Sequence, residues 1–359
     1  METQAADPTP IAPGPRASGG GPRFAGVQEL GLIVVVLLLG MLLTYFGWAR
    51  ALPGRPNTFL NFDNLVEGIA APMSIYAIMA LGLTCVIITG GIDISVGSIM
   101  ALAALGGAYA LQQLPADASR WAALPVGIGV PVAIGVACGL FNGICVVGLR
   151  MHSFIVTLGS MSIFRGLATV LPPQATLPVP PKVLPTAFTD DFMRLEFSGL
   201  RAVPMTVMLI CTLAAWVYLG LLVMGRETYA VGSNETAARF SGLRVPLIKL
   251  RVYVISGLCA GIAAMVSLGR FGTASTNTAQ GYELMVIAAA VVGGASLSGG
   301  RGTALGALLG TLIIAMIENG ILIMKLNMEY RLVIIGAAII AAVALERAGE
   351  ALRARRRSR

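Results

Sequence analysis

Ten apolar stretches, most of them long enough to cross a lipid bilayer, constrain the fold of this chain more than any other feature. They lie at residues 30–48, 68–89, 92–112, 122–149, 153–172, 204–224, 251–268, 283–297, 303–324 and 331–346. In hydrocarbon, backbone N–H and C=O groups must be hydrogen-bonded within the protein, so an apolar run of about 20 residues spans only as a helix. A β-barrel would show short segments of alternating polarity instead, which are not found. The sequence therefore predicts an all-α fold, a polytopic transmembrane helical bundle.

The number and orientation of the crossings follow from segment length and charge. Several stretches are interrupted by Gly or Pro, and residues 283–297 are short for a span, so eight crossings with re-entrant pieces is an alternative. We expect about ten spans with some broken or re-entrant helices. If the N-terminus is cytoplasmic and successive loops alternate between the two sides of the membrane, 15 Lys and Arg residues lie in the cytoplasm and nine on the other side, with Arg165 inside a span. This asymmetry obeys the positive-inside rule and predicts that both termini are cytoplasmic.

Composition excludes several function classes. Hydrophobic residues make up 56% of the chain and charged residues only 12%, too few to cover a water-soluble globule. The net charge of +8 lies mostly in loops and at the C-terminus, without a basic stripe that interleaves aromatics, so we expect no nucleic-acid partner. The cysteines lie in apolar runs without metal-ligand spacing. No phosphate-binding loop or hydrolase motif occurs, so we expect no catalytic residues, no metal and no cofactor in this chain.

The chain divides into a central membrane domain and two polar tails. Residues 1–27 are rich in Pro, Gly and Ala and predict a disordered cytoplasmic tail. Residues 28–348 form the predicted transmembrane domain, with a cytoplasmic loop at 225–250, and residues 349–359 form a basic cytoplasmic tail. Within the domain, residues 90–108 align without gaps to residues 293–311 with nine identities in 19. Either a true repeat of transporter halves or the small-residue bias of membrane helices explains this match.

Polar residues occur at membrane depth in three neighbouring stretches, residues 89–98, 139–143 and 153–160. Residues 89–98 (TGGIDISVGS) place paired glycines, a carboxylate and hydroxyls between two apolar runs. One interpretation is an interfacial turn with Asp93 capping the next helix, and the other is a broken helix that lines a transport path. Asn142 is interpreted either as a hydrogen-bonding group between helices or as a hydrogen-bonding group for a polyol. The predicted pathway residues are Asp93, Ser95, Asn142, Phe154 and Thr157.

A short helix is predicted in the cytoplasmic loop. Asn234 is a good N-cap, Glu235 suits the positive helix start, and Gly242 can adopt the left-handed conformation after the last turn. Such a helix either lies on lipid headgroups or enters a groove of a partner protein. The residues predicted to couple to a partner are Asn234, Glu235, Ala237, Ala238, Arg239 and Gly242.

Six motifs resemble those of one transporter family. They are residues 87–98 (IITGGIDISVGS), 142–143 (NG), 154–166 (FIVTLGSMSIFRG), 230–242 (AVGSNETAARFSG), 281–284 (GYEL) and 292–302 (VGGASLSGGRG). Over residues 73–348 the chain resembles permease subunits of ribose-type and related monosaccharide ABC importers, in the broad family that includes branched-chain amino-acid permeases. The sequence departs from the common pattern at residues 151–153, which lack a proline before Phe154, and at Ala295, which is often a threonine. These departures weaken the transfer of substrate identity.

The resemblance implies a complete import machine in the bacterial inner membrane. Its expected parts are a second permease copy or paralogue, two cytoplasmic ATPase subunits that hold ATP and Mg, and a periplasmic sugar-binding protein. Residues 234–241 are similar to the coupling helix that docks into the ATPase. The expected function is import of a monosaccharide such as ribose or xylose by alternating access. The alternatives are an ABC permease for an amino acid or another small polar solute, an ion-coupled secondary carrier, and a membrane-embedded enzyme.

Overall fold

A computed structural model describes residues 23–49, 57–197, 200–338 and the single positions 340, 341 and 344. Its helices are α1 (Arg23–Ala49), α2 (Ala71–Ile88), α3 (Val96–Leu111), α4 (Arg120–Leu149), α5 (Ser153–Val170), α6 (Thr186–Phe188), α7 (Val203–Gly220), α8 (Val223–Ser233), α9 (Glu235–Phe240), α10 (Val245–Phe271), α11 (Tyr282–Val292) and α12 (Ala304–Ile323). Two π-helical segments, Asn64–Ala70 and Thr189–Met193, precede α2 and follow α6. Helical backbone also covers residues 330–338.

Strands are few and short in the described part of the chain. The strand β1 (Thr176–Leu177) pairs antiparallel with β4 (Ala274–Ser275), and β2 (Glu196–Phe197) pairs antiparallel with β3 (Leu200–Arg201). Both pairs lie in segments that connect apolar helices, so the membrane-spanning part is built from helices alone. The prediction of a helical bundle is confirmed in this respect.

Seven of the described helices are long and apolar enough to cross a membrane. They are Glu29–Ala49, Asn64–Ile88, Arg120–Leu149, Ser153–Val170, Val203–Gly220, Val245–Phe271 and Ala304–Ile323. The stretches at 92–112 and 283–297 give shorter helices, because α3 begins only after a break and α11 has 11 residues. A helix of that length covers only about 16 Å. Helices therefore occupy all ten predicted stretches, but ten full-length spans are not confirmed.

The predicted tails fall mainly outside the described residues. The basic tail at 349–359 lies entirely outside them, as do residues 1–22 of the predicted N-terminal tail. The backbone of residues 23–27 is helical and continues into the first span.

The core of the bundle is built around α2 and α10, and α4 packs against α10. Nearly every residue of α2 is buried, which fits a helix that is apolar on all sides and surrounded by other helices. Glycines allow α4 and α10 to touch through their backbones: a methyl group on Gly257 would overlap the carbonyl oxygen of Gly135 and lie 2.7 Å from the Cα of Gly139. Close crossing at small residues is the usual packing of helices in membranes.

Two glycine-rich breaks, each lying between two helices, come close together in the folded chain. The first break, residues 89–95, lies between α2 and α3, and the second break, residues 293–303, lies between α11 and α12. The amide of Gly300 donates to the carbonyl of Ile88 at 2.8 Å. The two aligned segments, residues 90–108 and 293–311, each begin at a Gly-Gly pair that follows a helix. The next helices start at Val96 and Ala304, which are not paired in the alignment. The two segments therefore share the order helix, break, helix, but their second helices start at different aligned positions.

Candidate functional site

A buried group of polar side chains surrounds Asp93 in the first break. One carboxylate oxygen of Asp93 accepts hydrogen bonds from the Ser95 amide at 3.0 Å and the Ser95 hydroxyl at 2.6 Å. The other accepts from the hydroxyl of Ser256 at 3.0 Å. Asn142 donates to the Ser95 hydroxyl oxygen at 2.7 Å and lies 3.5 Å from the carboxylate. We call these residues, Asp93, Ser95, Asn142 and Ser256, the Asp93 cluster.

The Asp93 cluster joins three elements that are distant in sequence. Asp93 comes from the first break, Asn142 from α4 and Ser256 from α10. The Asp93 side chain is 0% exposed, so its hydrogen bonds are its only source of polar stabilisation. Ser95, at the N-cap position of α3, makes no side-chain capping bond. Asp93 is thus buried rather than at an exposed interface, and it connects the first break to α4 and α10.

The first turn of α5 supports the same break. The hydroxyl of Ser153 accepts from the amide of Ile92 at 3.1 Å, and the hydroxyl of Thr157 lies 3.1 Å from the carbonyl oxygen of Ile92. Thr157 is therefore next to the cluster, as its prediction as a pathway residue suggests. The Phe154 side chain is not part of this buried group, because it is 42% exposed.

Four of the five predicted pathway residues therefore meet in one place, and two partners were not predicted. Ser153 and Ser256 hold the break, yet each is a single serine within or beside an apolar run. Short polar side chains of this kind are common in membrane helices, so nothing in the sequence distinguishes these two. Two buried polar atoms of the described residues lack a hydrogen-bond partner here, Asn142 Oδ1 and Tyr253 Oη.

A cavity of about 950 Å³ lies beside the first break. It is lined by the break, the turn between α4 and α5, the end of α8, α9 and the start of α10; the residues that line it include Gly90, Gly91, Arg150, Ser153, Gly232, Glu235, Lys249 and Tyr253. This volume is at the upper end of small-molecule sites. The Asp93 side chain does not line the cavity; it lies behind the wall that Gly91, Ser153 and Tyr253 form.

The predicted short helix in the loop is present as α9. The Asn234 side chain accepts from the Ala237 amide at 2.9 Å, and Gly242 has φ +83° directly after the last turn. Both capping predictions are confirmed, because an N-cap oxygen and a left-handed residue satisfy the free backbone groups at the helix ends.

One face of α9 is held against the membrane domain. Glu235 bonds to Lys249 of α10 at 2.7 Å and to Arg239 at 3.2 Å. Hydrogen bonding to Lys249, together with the nearby charge of Arg239, lowers the pKa of the Glu235 carboxyl. Ala238 is buried against Val245 and Ile248. Glu235 and Ala238 thus attach α9 to α10.

The opposite face of α9 is open to solvent. Ala237, Arg239 and Gly242 are exposed there, as are Asn234 and Phe240. The Phe240 side chain is 88% exposed, which is unusual for a phenyl ring in a loop outside the membrane. Phe240 was not predicted, although its place three residues after Ala237 puts it near the same helix face. An exposed aromatic ring on a short rigid helix is a typical anchor for a partner groove.

Comparison with known proteins agrees with this architecture. Residues 65–343 match the family described as the branched-chain amino acid transport system permease component. The chain belongs to this permease family. The predicted family resemblance is therefore confirmed, and with seven candidate spans this permease is a multi-pass membrane protein. No solved structure was found to match it.

Three curated relatives cover most of this permease. It is 36% identical over 339 residues to the ribose import permease protein of Bacillus subtilis (strain 168), covering 90% of this chain and 95% of the relative. It is 35% identical over 294 residues to the D-allose transport system permease protein of Escherichia coli (strain K12), covering 81% and 86%. It is 33% identical over 328 residues to the galactose/methyl galactoside import permease protein of the same strain, covering 89% and 94%.

Proposed function

We propose that this permease is the membrane-spanning subunit of an ATP-binding-cassette importer that carries a monosaccharide across the bacterial inner membrane. The observation that carries the proposal is similarity, over about nine tenths of the chain, to permeases named for ribose and galactose import. The amino-acid alternative has only the broad family name in its favour.

The remaining parts of the importer would be separate proteins. Two cytoplasmic ATPase subunits would bind ATP and Mg, since this chain has no phosphate-binding loop. A periplasmic sugar-binding protein would deliver the solute, and a second permease copy or paralogue would complete the membrane part. In this assembly the permease has no catalytic role of its own.

The proposed topology has ten crossings with both termini in the cytoplasm and residues 28–348 as the membrane domain. The seven long spans are joined by α3, by α11 together with the second break, and by the final helix that starts at residue 330. Four crossings then separate the loop at 225–250 from the C-terminus. The loop and the basic C-terminal tail lie on one side, as the positive-inside rule requires.

The proposed mechanism is alternating access. ATP binding would close the ATPase pair and move α9, which is attached to α10 through Glu235 and Lys249. The Asp93 cluster and Thr157 would hold the first break as one unit of the pathway wall. Phe154, exposed at the start of α5, would face the second permease copy. The 950 Å³ cavity beside the break would be part of the cytoplasmic exit.

The function is tested by transport in proteoliposomes that contain the permease, a candidate ATPase and a candidate binding protein. We expect ATP inside the vesicles, on the side where the ATPase is bound, to drive uptake of a radiolabelled monosaccharide but not of leucine. Dissipating ion gradients with ionophores should leave uptake unchanged. Uptake that needs an ion gradient and no ATPase would establish the secondary-carrier alternative instead.

Docking of the ATPase is expected to depend on Phe240. Replacing Phe240 with alanine removes an exposed ring from α9 without touching its caps, so the permease should fold normally. Loss of an aromatic anchor at an interface costs about 2 kcal/mol or more, which corresponds to about 30-fold weaker binding of the ATPase. Binding is measured by titrating detergent-purified permease with the labelled ATPase.

A matched control for this experiment is Phe271→Ala. Phe271 is also an exposed phenylalanine, 56% accessible, but it lies at the opposite end of α10 from α9. The control should bind the ATPase as the wild type does. Equal affinity of the Phe240 variant and the wild type would show that α9 is not the docking helix.

A further inference from the structure

The last turn of α8 is in backbone contact with the end of α2, directly before the first break, and with the second break. A methyl group at Gly232 would overlap the carbonyl oxygen of Ile88, at the end of α2, and would lie 2.7 Å from the amide nitrogen of Gly300 in the second break. No side chain fits between these three segments. Glycine is required at position 232 because only a residue without Cβ permits so close an approach.

The two breaks also touch each other at this point. The Gly300 amide donates to the Ile88 carbonyl at 2.8 Å. Gly299 has φ +86°, and a methyl group there would lie 2.8 Å from the carbonyl oxygen of Gly232 and 3.1 Å from the amide nitrogen of Gly90. The end of α8, the first break and the second break therefore form one three-way junction, which we call the glycine junction (Ile88, Gly90, Gly232, Gly299 and Gly300).

A hydrogen bond one turn earlier on α8 strengthens this contact. The hydroxyl of Tyr229 donates to the carbonyl of Gly302 in the second break at 2.6 Å. Gly302 has φ +149°, a conformation that favours glycine, so the break is shaped to present this carbonyl. The helix α8 is thus fixed to the second break at two points along its length.

The junction lies next to the helix proposed to meet the ATPase. Asn234 is both the C-cap of α8 and the N-cap of α9, so a single residue separates the two helices. Backbone atoms in direct contact cannot absorb a displacement by changing side-chain rotamer, because packed interiors have low compressibility. A displacement of α9 that reaches Gly232 would therefore be passed to the end of α2 and to the second break.

We propose that Gly232 and Tyr229 are positioning residues that transmit movement of α9 to both breaks, and so couple ATP hydrolysis to opening of the sugar path. The first break carries Asp93 and is bonded to α4 and α10, so its displacement reaches the core of the bundle. This inference rests on the proposed importer function. It differs from docking, because neither residue is on the exposed face of α9.

The test uses the complete reconstituted importer with the variants Gly232→Ala and Tyr229→Phe. Two rates are measured in the same proteoliposomes, ATP hydrolysis and uptake of the transported monosaccharide. For Tyr229→Phe, which loses one hydrogen bond, we expect hydrolysis and ATPase binding to stay within about twofold of wild type, while sugar transported per ATP falls about fivefold. Gly232→Ala, whose methyl group would overlap backbone, should lower the recovery of folded complex, and the complex that is recovered should transport even less sugar per ATP. The control Gly220→Ala, where no atom lies within 4 Å of the added methyl, should transport normally.

The outcomes separate the inference from the proposed function. If the wild-type complex shows no ATP-dependent uptake, the importer function itself is wrong. If the wild type transports and both variants keep the wild-type ratio of sugar to ATP, the coupling role of the junction is overturned. Parallel loss of hydrolysis and uptake, with a lower melting temperature in both variants, would also overturn it, because the contact would then be only structural.

Discussion

Replacing Asp93 with alanine is expected to lower the free energy of unfolding of this permease by about 3 kcal/mol or more. The substitution removes the acceptor for the Ser95 amide, the Ser95 hydroxyl and the Ser256 hydroxyl, all of them buried. Each buried donor left without a partner costs about 1 to 3 kcal/mol. The measurement is thermal or denaturant unfolding of the purified protein in detergent.

Two further variants make this experiment specific. Asp93→Asn keeps one carbonyl oxygen as acceptor and should lose less stability than Asp93→Ala. Asp117→Ala changes an exposed aspartate in the segment between α3 and α4 and should be neutral. Wild-type stability of Asp93→Ala would mean that water or rearranged side chains replace the carboxylate, and that the cluster does not hold the break.

The composition of the Asp93 cluster could be predicted only in part. Asp93, Ser95 and Asn142 stand out because a carboxylate or amide at membrane depth is costly and is kept only where it is bonded. Ser256 does not stand out, and its bond to Asp93 spans 163 residues of sequence. Which face of α10 meets the break depends on how α4 and α10 cross, and a single sequence gives no measure of that crossing. Phe154 shows the converse, since a motif groups it with Thr157, yet the Phe154 side chain is exposed whereas Thr157 is buried.

For α9, too, the sequence predicts the helix itself but not which of its residues contact the rest of the protein. Its start and end are local properties of Asn234 and Gly242, so the sequence predicts them correctly. The orientation of its faces is not local, because it depends on contacts with α10. Ala238 is therefore buried and Phe240 exposed, whereas the sequence treats Ala237 and Ala238 as one small-residue face.

The span count was harder to predict than the helical fold. Apolar length identifies where helices occur, but not how deep each one reaches into the bilayer. The stretch 92–112 includes Asp93 and Ser95, which belong to the first break, so α3 begins only at Val96. The stretch 283–297 likewise runs into the second break after Val292. In these two stretches the apolar length therefore overstates the length of the helix.

The largest loss of stability is expected for Gly257→Val at the crossing of α4 and α10. The added Cβ would overlap the carbonyl oxygen of Gly135 and approach the Cα of Gly139 at 2.7 Å, and both obstacles are backbone. Because backbone atoms cannot rotate away from the added carbon, α4 and α10 would have to separate along their whole contact. We expect destabilisation of about 4 kcal/mol or more, enough to abolish recovery of folded protein in detergent.

The steric origin of this effect can be distinguished from a change in helix propensity. The clash begins at the first added carbon, so Gly257→Ala should already cause most of the loss, even though alanine favours a helix over glycine by about 1 kcal/mol. Gly159→Val on α5, where no atom lies within 4 Å of the added Cβ, should be recovered in wild-type amounts. If Gly257→Ala matched the wild type in melting temperature, α4 and α10 could not cross as closely as described. The positions of Asn142 and Ser256 around Asp93 would then also have to differ, because that same crossing sets the distance between their two helices.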